Sequence, residues 1–401
     1  MDTLTRRRFL IASGVAGGAA VLAGSAAIGW RDLAGHAAAN PLPSGAKVLV
    51  VVTLYGGNDG LNTVVPYADP AYHGARPELA YTADEVIRLD PQLGLNPAMT
   101  GLAAQFRSGR LAIVNGVGYP NPDYSHFRSM DIWQTASPAE PVGTGWIGRW
   151  LDASGDDPVR AVNVGSVLPP LAVGSRCTAA ALNPGGNRPL PQDFATGLTA
   201  LAQQDRGDTP QDAMVTGCYR AEREVAATFA SIRPAATGSV GGDDLAGQLD
   251  TVGRCVKAGV PTRVYAVDLG GFDTHADEKG TQQTQLGTLD TALSSFVTDM
   301  AGDPRGRGVV VLVYSEFGRR VAANASQGTD HGSAGPVLVA GVPVRGGRFY
   351  GEQPGLNDLD DGNLKYTVDF RTVYAELLER VLDADPQQVI GYAHEPLGLL
   401  A

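Results

Sequence analysis

The feature that most constrains the fold of this chain is a set of apolar, valine-rich segments spread along its length. Residues 308–318 are "GVVVLVYSEFG", and residues 47–54 are "KVLVVVTL". Continuous apolar runs of this kind are typical of strands that are buried on both faces of a sheet. Three further segments share this composition, namely residues 110–118, 263–270 and 335–342. Together the five segments predict the strands of one central sheet.

Helical patterns lie between the predicted strands. In residues 281–302, apolar side chains recur every three or four positions, at Leu286, Leu289, Leu293, Phe296 and Met300. This spacing places them on one face of a helix. Strands that alternate with helices predict an α/β fold with a mostly parallel central sheet and helices on both faces.

The middle of the chain has a different character. From about residue 182 to residue 259, no segment has the composition of a strand. The stretch "TPQDAMVTGCYRAEREVAATFASIR" is typical of a helix, with Thr209 as its cap and Pro210 in its first turn. We interpret residues 182–259 as a helical insertion within a single domain that covers residues 40–401.

The first 39 residues have the pattern of a twin-arginine export signal. Arg6 and Arg7 are paired, an apolar run of small residues continues to about Ile28, and "HAAAN" offers a cleavage point after Ala39. The pattern predicts that the twin-arginine translocase is a partner during export and that the mature protein is periplasmic or extracellular. The alternative is an uncleaved membrane anchor, which would be the only contact with a membrane.

The charge balance limits the partners of the chain. Its 31 basic and 42 acidic residues give a formal net charge of −11. An acidic surface argues against nucleic acid as a partner, because phosphate binding requires a basic face. The three cysteines, Cys177, Cys218 and Cys255, match no metal-binding spacing, and we expect buried thiols or one incidental disulfide.

Acidic residues and histidines follow most of the predicted strands. In open parallel sheets, ligands bind at the carboxyl ends of the strands. Carboxylates combined with imidazoles suit Zn²⁺, Mn²⁺ or another divalent ion. The candidate metal ligands are Asp59, Asp273, His275, Glu316 and the Asp330 and His331 of "GTDHG". Each alone is also compatible with an ordinary polar turn. Jointly they predict a centre for one or two divalent ions, with Zn²⁺, Mn²⁺, Mg²⁺ and Ca²⁺ as open choices.

A catalytic group is predicted after the second strand, in "DYSHFRSMDIWQ". Asp123 or Ser125 is predicted to cap the helix that begins here, and the free N–H groups and dipole at a helix start stabilise negative charge. His126 and Arg128 add a titrating group and an anion-binding group to the same turn. The alternative is that Ser125 is a plain capping residue, and Ser129 is a second choice as nucleophile.

Several motifs together resemble a known family. They are "TLYGGNDGLNTVVPY", "DYSHFRSMDIWQT", "GWIGRW", "FDTHADE", "SEFGRRVAANASQGTDHG" and "VPVRGGRFYG". These motifs, spread over about residues 45–400, resemble a bacterial family of twin-arginine-exported proteins of unknown function. That family is grouped with the alkaline phosphatase and sulfatase superfamily, so the resemblance implies an alkaline-phosphatase-like α/β domain.

By analogy alone, the superfamily resemblance implies roles for several residues. Asp59 matches a metal ligand after the first strand, and Ser125 matches a nucleophile that begins a helix. Asp273 with His275, then Glu316, then His331 match ligands from later loops. Two features depart from the superfamily pattern. Glu316 is followed by Phe317 where the superfamily has an Asp-His pair, so one imidazole is missing. Asp273 and His275 are separated by a single residue, where phosphatases have a longer gap.

The leading hypothesis is an exported metal-dependent hydrolase of phosphate or sulfate esters. In it Ser125 attacks a small anionic ester, and Arg128, Arg149 or Arg319 binds the anion. The alternative hypothesis, motivated by the missing imidazole, is a non-catalytic, metal-stabilised binding or assembly protein of the envelope. An oxidoreductase is favoured only by the export route, because the mature sequence contains no dinucleotide-binding loop or haem motif.

Overall fold

The computed structural model describes residues 41–43, 45–155, 157–165, 168–182, 244–393 and 395–401, together with the backbone of Ala27–Ile28. The predicted export signal, Cys218 and most of the predicted helical insertion, residues 183–243, therefore lie outside the described residues. Within the described ranges, no helix is both long and apolar enough to cross a membrane.

One large sheet forms the centre of the molecule. Its labelled strands are, in chain order, β1 Val48–Leu54, β2 Leu111–Gly118, β3 Ala161–Val164, β4 Ala180–Leu182, β5 Val264–Leu269, β6 Val309–Ser315, β7 Gly335–Gly341, β8 Arg348–Tyr350 and β9 Val368–Asp369. The spatial order is β4-β3-β5-β1-β6-β7-β2-β8, with Ala27–Ile28 beyond β4 and β9 paired to β2. Every pairing is parallel except the two that β7 makes with β6 and β2. The predicted α/β fold with a mostly parallel central sheet is therefore confirmed.

The five predicted strands correspond to β1, β2, β5, β6 and β7, and each boundary agrees to within a few residues. The sequence did not indicate β3, β4, β8 or β9, which are four residues long or shorter. A short strand buries too few side chains to give a recognisable apolar run.

Helices cover both faces of the sheet. They are α1 Gly60–Thr63, α2 Pro70–Ala75, α3 Thr100–Arg107, α4 His126–Thr135, α5 Trp146–Ser154, α6 Leu245–Ala258, α7 Glu278–Gly302, α8 Phe370–Arg380 and α9 Pro386–Ile390. Short 3₁₀ turns occur at Pro158–Arg160, Pro170–Ala172 and Gly306–Gly308. Outside the large sheet, Val64–Val65, Ile87–Arg88 and Gly94–Leu95 form a small sheet, and Leu359–Asp360 pairs with Asn363–Leu364.

The side chains of each central strand divide between two cores. Val48, Val50 and Val52 of β1 pack with α3, α6 and α7 on one face. Leu49 and Val51 pack with α4, α5, α8 and α9 on the other. Because successive side chains of a strand point to opposite faces, a continuous apolar run is what a sheet covered on both sides requires.

The two described cysteines are buried on different faces of this sheet. Cys255 belongs to the core under α6, whereas Cys177 belongs to the opposite core. Both are thiols, which is the first of the two alternatives that the sequence left open.

The direction of the strands decides where the site residues meet. Because β1, β2, β5 and β6 run the same way, their carboxyl ends lie at one edge of the sheet. The segments that follow them, four loops and the first turn of α4, hold every residue predicted to bind metal or catalyse. We call this edge, with its four loops, the rim.

Candidate metal centre

Three imidazole rings converge on one carboxylate at the rim. The Nε2 atoms of His275, His331 and His126 lie 3.0, 3.3 and 3.5 Å from Oδ1 of Asp273. The Nε2 atoms of His275 and His331 are themselves 2.9 Å apart. His126, Asp273 and His331 each offer a ligand atom within 4.8 Å of the others. We call His126, Asp273, His275 and His331 the imidazole cluster.

The second nitrogen of each ring faces an acceptor. Nδ1 of His126 donates to Oε1 of Glu316 over 2.9 Å, and Nδ1 of His331 donates to the carbonyl oxygen of Tyr124 over 2.7 Å. Nδ1 of His275 lies 3.6 Å from Oδ1 of Asp330, a looser contact. A neutral ring that donates from Nδ1 carries a lone pair on Nε2. The rings thus aim lone pairs at a carboxylate, and a bound cation would relieve that repulsion.

The donor set fits a metal ion on grounds internal to the structure. His126 Nε2 is buried and has no hydrogen-bond partner among the described residues, although it points at Asp273. Metal-binding histidines characteristically donate their other ring nitrogen to a carboxylate or a backbone carbonyl, which fixes the ring and its tautomer. Glu316 and the carbonyl of Tyr124 hold two rings in this way.

Glu316 is placed to orient a ring. Its side chain is buried, and its Oε1 accepts from both the His126 ring and the backbone N–H of Gly56. Its other oxygen, Oε2, accepts from the hydroxyl of Ser315 over 2.9 Å. With both oxygens already bonded, Glu316 stands behind His126 and does not join the converging atoms.

Arg319 ties the loops of the rim together. Its fully buried guanidinium donates to the carbonyl oxygens of Gly56, Gly57, Phe272 and Thr329 and to Oδ1 of Asp273. These acceptors belong to the loops after β1, β5 and β6. The sequence suggests Arg319 as a candidate anion-binding residue, but in the structure all three nitrogens of its guanidinium donate to the protein itself.

Glycines allow these loops to approach one another. A Cβ on Gly56, whose φ is +117°, would collide with the backbone of Asp273. A Cβ on Gly328 would collide with the backbone of His275, and one on Gly332 with that of Arg319. Both glycines of "GTDHG" are therefore needed for space, because the segment that carries His331 lies directly against the loop after β5 and against the first part of its own loop at Arg319.

The charge on Asp273 is stabilised by its neighbours. Partial burial alone would raise the pKa of Asp273, but the hydrogen bond and the positive charge of Arg319 lower it to about 2. The carboxylate is therefore ionised at any physiological pH, which is the state that a metal ligand requires.

Asp59 lies apart from the imidazole cluster, although the sequence placed it among the metal ligands. Its fully buried carboxylate forms an ion pair with Arg76 and also caps α1 by accepting from the N–H of Leu61. Burial by itself would raise the pKa of Asp59, but the charge of Arg76 and a hydrogen bond from Glu278 hold it below its usual range. Both carboxylate oxygens of Asp59 are therefore bonded to groups outside the imidazole cluster.

Glu278 completes this second group of charges. Burial, together with the charge of Asp59, raises the pKa of Glu278 to about 9, so the two carboxyl groups share one proton at neutral pH. The hydroxyl of Thr329 donates to Oε2 of Glu278 over 2.6 Å. We call Asp59, Arg76 and Glu278 the buried triad.

The predicted catalytic residues are divided by the structure. His126 joins the imidazole cluster, whereas Arg128 forms an ion pair with Asp131 one turn along α4. Ser125 is the N-cap residue of α4, its side chain is exposed, and its hydroxyl caps no N–H of the helix. Ser129, the second choice, is buried and bonded to Tyr119.

Arg149, the third candidate for anion binding, is also bonded to the protein itself. Its guanidinium donates to the carbonyl oxygens of Thr135, Thr144 and Val389. None of these acceptors belongs to the loops of the rim, so Arg149 contributes to packing between α4, α5 and α9.

A cavity of about 500 Å³ adjoins the imidazole cluster. His126 and Glu316 form part of its wall, and the carboxyl ends of β1 and β5 contribute Thr53 and Ala266. A ligand in this space would lie against the ring of His126.

The sequence does not predict the roles that the structure gives to His126 and Arg76. The sequence predicts His126 as a catalytic group. Its position at the start of a helix that follows a strand is equally compatible with a metal ligand. Arg76 lies in "HGARPELA", which has no motif that would pair it with Asp59. Long-range ion pairs leave no local pattern in a sequence.

Solved structures resemble the chain only in the general arrangement of strands and helices. A protein in the alkaline phosphatase superfamily from Vibrio parahaemolyticus is 11% identical, with 81% of this chain and 71% of that chain covered and a TM-score of 0.37. The C-terminal periplasmic domain of EcEptC from Escherichia coli, solved in complex with Zn, is 12% identical, with coverages of 75% and 77% and a TM-score of 0.37. The phosphonate monoester hydrolase of Agrobacterium radiobacter is 10% identical, with coverages of 87% and 78% and a TM-score of 0.38. Likeness at this level carries no information on activity.

The sequence itself has a more specific match. No curated protein matches the chain. Residues 200–397, however, match the family described as "Protein of unknown function (DUF1501)". The resemblance inferred from the motifs is thereby confirmed: over residues 200–397, just under half of its length, this chain is similar to a family of unknown function.

Proposed function

We propose that this chain is an exported hydrolase of phosphate or sulfate esters that depends on one divalent metal ion held by the imidazole cluster. The observation that carries the proposal is the convergence of three imidazole Nε2 atoms on Oδ1 of Asp273 beside an open cavity. The choice of ester class rests on the sequence resemblance.

The donor set favours one ion over two, and Zn²⁺ or Mn²⁺ over Ca²⁺ or Mg²⁺. Imidazole nitrogens suit the first pair of ions, whereas the second pair prefers ligand shells made of oxygen. The carboxylates that a second ion would need are otherwise engaged, Asp59 with Arg76 and Glu316 with His126.

The imidazole cluster would hold the divalent ion, and the bound ion would supply Lewis-acid chemistry. The residues of the chain supply the rest. Ser125 presents an exposed hydroxyl beside His126 at the start of α4, where the free N–H groups favour negative charge. His275 has the most exposed of the three rings, at 45%, and Asp330 lies beyond its Nδ1.

Metal content is the first test. Protein purified without chelator should contain close to one equivalent of metal by elemental analysis, and His331→Ala and Asp273→Ala variants should contain much less. His73→Ala is the matched control, because the His73 ring bonds to Tyr67 outside the rim and its loss should leave the metal content unchanged. A parent protein that holds no metal, even after incubation with Zn²⁺ or Mn²⁺, would overturn the proposal.

Turnover is the second test, and it separates two candidate functions. Metal-loaded protein should hydrolyse aryl phosphates or aryl sulfates, and Ser125→Ala should abolish that turnover while metal content is retained. One observation favours the non-catalytic alternative, a metal-stabilised envelope binding protein. The guanidinium groups of Arg128, Arg149 and Arg319 are all bonded to protein partners, which leaves none of them for the substrate. Bound metal without turnover of any ester would establish that alternative.

Export is a separate part of the proposal. Cell fractionation should recover the protein outside the cytoplasm, and replacing Arg6 and Arg7 with lysines should retain it inside. Export of the double variant at the parent rate would contradict the twin-arginine route.

A further inference from the structure

The cavity beside the imidazole cluster has a wall of two kinds. One part is apolar and aromatic, with Tyr55, Phe127, Met130 and the consecutive prolines Pro169 and Pro170. Phe127 is 91% exposed, which is unusual for a phenylalanine and places an apolar surface at the mouth of the cavity. A volume of about 500 Å³ accommodates a group of the size of a substituted aromatic ring.

The other part of the wall is acidic. Asp131, Asp268 and Glu316 line the cavity, and among its described lining residues there is no lysine or arginine. Glu316 is bonded to His126 and Asp131 to Arg128. The carboxylate of Asp268, by contrast, has no hydrogen-bond or ion-pair partner among the described residues.

Asp268 is held in place by its backbone. Its N–H donates to Oε1 of Gln248 over 2.9 Å, and its carbonyl oxygen accepts from Nε2 of Gln248 over 3.1 Å. These bonds fix the end of β5 against α6, so the carboxylate keeps its position in the wall while remaining available to a ligand.

The charge of Asp268 affects the pKa of the neighbouring Tyr55. Burial, with the charge of Asp268 as a second cause, raises the pKa of Tyr55 to about 12. The ring therefore stays neutral, and its hydroxyl accepts from Nε2 of Gln134 over 3.2 Å. A neutral aromatic ring beside a carboxylate is a favourable environment for an organic cation, through cation–π attraction and ion pairing.

We propose that this cavity binds an apolar, ring-sized part of the ligand that carries a positive charge, with the charge placed at Asp268. A second anionic group is disfavoured in this cavity, because it would face the unpaired carboxylate of Asp268 and no lysine or arginine is among the described lining residues. The assignment rests on the proposed function for its connection to ester hydrolysis. The cation preference itself depends only on the cavity.

The test compares three small probes of similar size that differ in charge: benzylamine, benzyl alcohol and benzoate. Binding to the mature protein is measured by titration calorimetry and ligand-observed NMR, in the metal-loaded form and after metal removal. In the metal-free protein, a difference in affinity between the probes cannot arise from coordination of the amine or the carboxylate to the metal. We expect benzylamine to bind about tenfold more tightly than benzoate in both forms, the scale of one partly exposed charge pair made or reversed.

Two variants that each remove one negative charge sharpen the test. Asp268→Asn should reduce the preference for benzylamine to about twofold or less. Asp299→Asn is the matched control, because Asp299 pairs with Lys257 near the far end of α7, and this variant should keep the preference.

Three outcomes would overturn the inference: no binding of any probe, tighter binding of benzoate in the metal-free protein, or an unchanged preference in Asp268→Asn. The proposed function fails independently, through absence of metal. Cation preference in a protein that holds no metal would leave this inference standing alone.

Discussion

The rim contains two groups of charged residues that the sequence does not distinguish, and the structure gives them opposite environments. In the imidazole cluster, the side chain of Asp273 is 49% exposed and faces three rings. In the buried triad, the side chains of Asp59 and Arg76 are both fully buried and form an ion pair. Both aspartates follow a parallel strand of the same sheet. The partner that each carboxylate meets, and not its place after a strand, decides whether it can bind a ligand.

The two groups are also physically connected. Arg319 bonds to the backbone of Gly57, close to Asp59, and to the carboxylate of Asp273. Thr329 bonds to Glu278 and lies two residues before His331. The buried triad therefore anchors the loops on which the imidazole cluster is built, which suggests that it acts on stability and the cluster on ligand binding.

The largest expected effect is on stability, from removal of Arg76. In Arg76→Met the charge of Asp59 stays buried without its partner, and we expect a loss of about 3–5 kcal/mol in the free energy of unfolding. Denaturant titration measures it. Arg88→Met is the control, because the Arg88–Asp84 pair is largely exposed and should contribute less than about 1 kcal/mol. Equal losses in the two variants would show that the triad is not a distinct group.

The next effect is a dependence of stability on pH. Glu278 holds its proton in the folded state up to about pH 9, whereas the unfolded chain releases it near the ordinary value of 4.5. The folded state thus binds more protons across that window, and stability falls as the pH rises through it. Asp59 adds no slope above pH 5, since its pKa is lowered and it is ionised in both states.

From pH 7 to pH 9 we expect a loss of about 2 kcal/mol from this source. Unfolding measured at several pH values should show the loss in the parent. Glu278→Gln, which keeps a donor toward Asp59 without a titrating proton, should remove it. Parallel pH profiles for the two proteins would contradict the shared proton.

The third effect concerns the other group and should leave stability nearly unchanged. Glu316→Gln weakens the bond that orients His126, and we expect metal affinity to fall about 10–100-fold. Competition with a chelator of known affinity measures it. Glu376→Gln is a matched control, because Glu376 is also buried but bonds to Gly398 and Leu400 away from the rim. Weakened metal binding in both variants would point to a general loss of structure.

The smallest effect is expected at Asp330. Its carboxylate lies 3.6 Å from Nδ1 of His275 and its side chain is 59% exposed, so Asp330→Asn should lower metal affinity less than about fivefold. The same chelator competition tests it. A loss as large as that in Asp273→Ala would make Asp330 a direct ligand, as the sequence first suggested.

The central fold could be predicted from the sequence because its strands are buried on both faces. A segment such as residues 309–315 has no polar alternation to confuse it with a helix or a surface strand. The strand β3, with the sequence "AVNV", carries no comparable pattern and depends on its neighbours β4 and β5 for its pairing. Such strands are determined by tertiary contacts.

The candidate site could be predicted in its location and in part of its membership. Strand direction brings Asp273, His275 and His331 to one edge, and the rule that ligands bind there is enough to group them. The sequence does not predict which residue supplies an imidazole in place of the one that Phe317 lacks. In the structure, His126 arrives from a different loop, and its ring lies 5.0 Å from that of Phe317.

The antiparallel direction of β7 has a consequence for how this edge can change. A connection between parallel strands must cross to the opposite edge of the sheet before it returns. The segment between β6 and β7 instead leaves and re-enters at the same edge, carrying Glu316 near its start and His331 near its end. Two positions of the centre therefore belong to one local excursion of the chain, which can change in sequence without altering the register of any strand. If relatives of this protein differ in specificity, this excursion is where the topology leaves most freedom for that difference to arise.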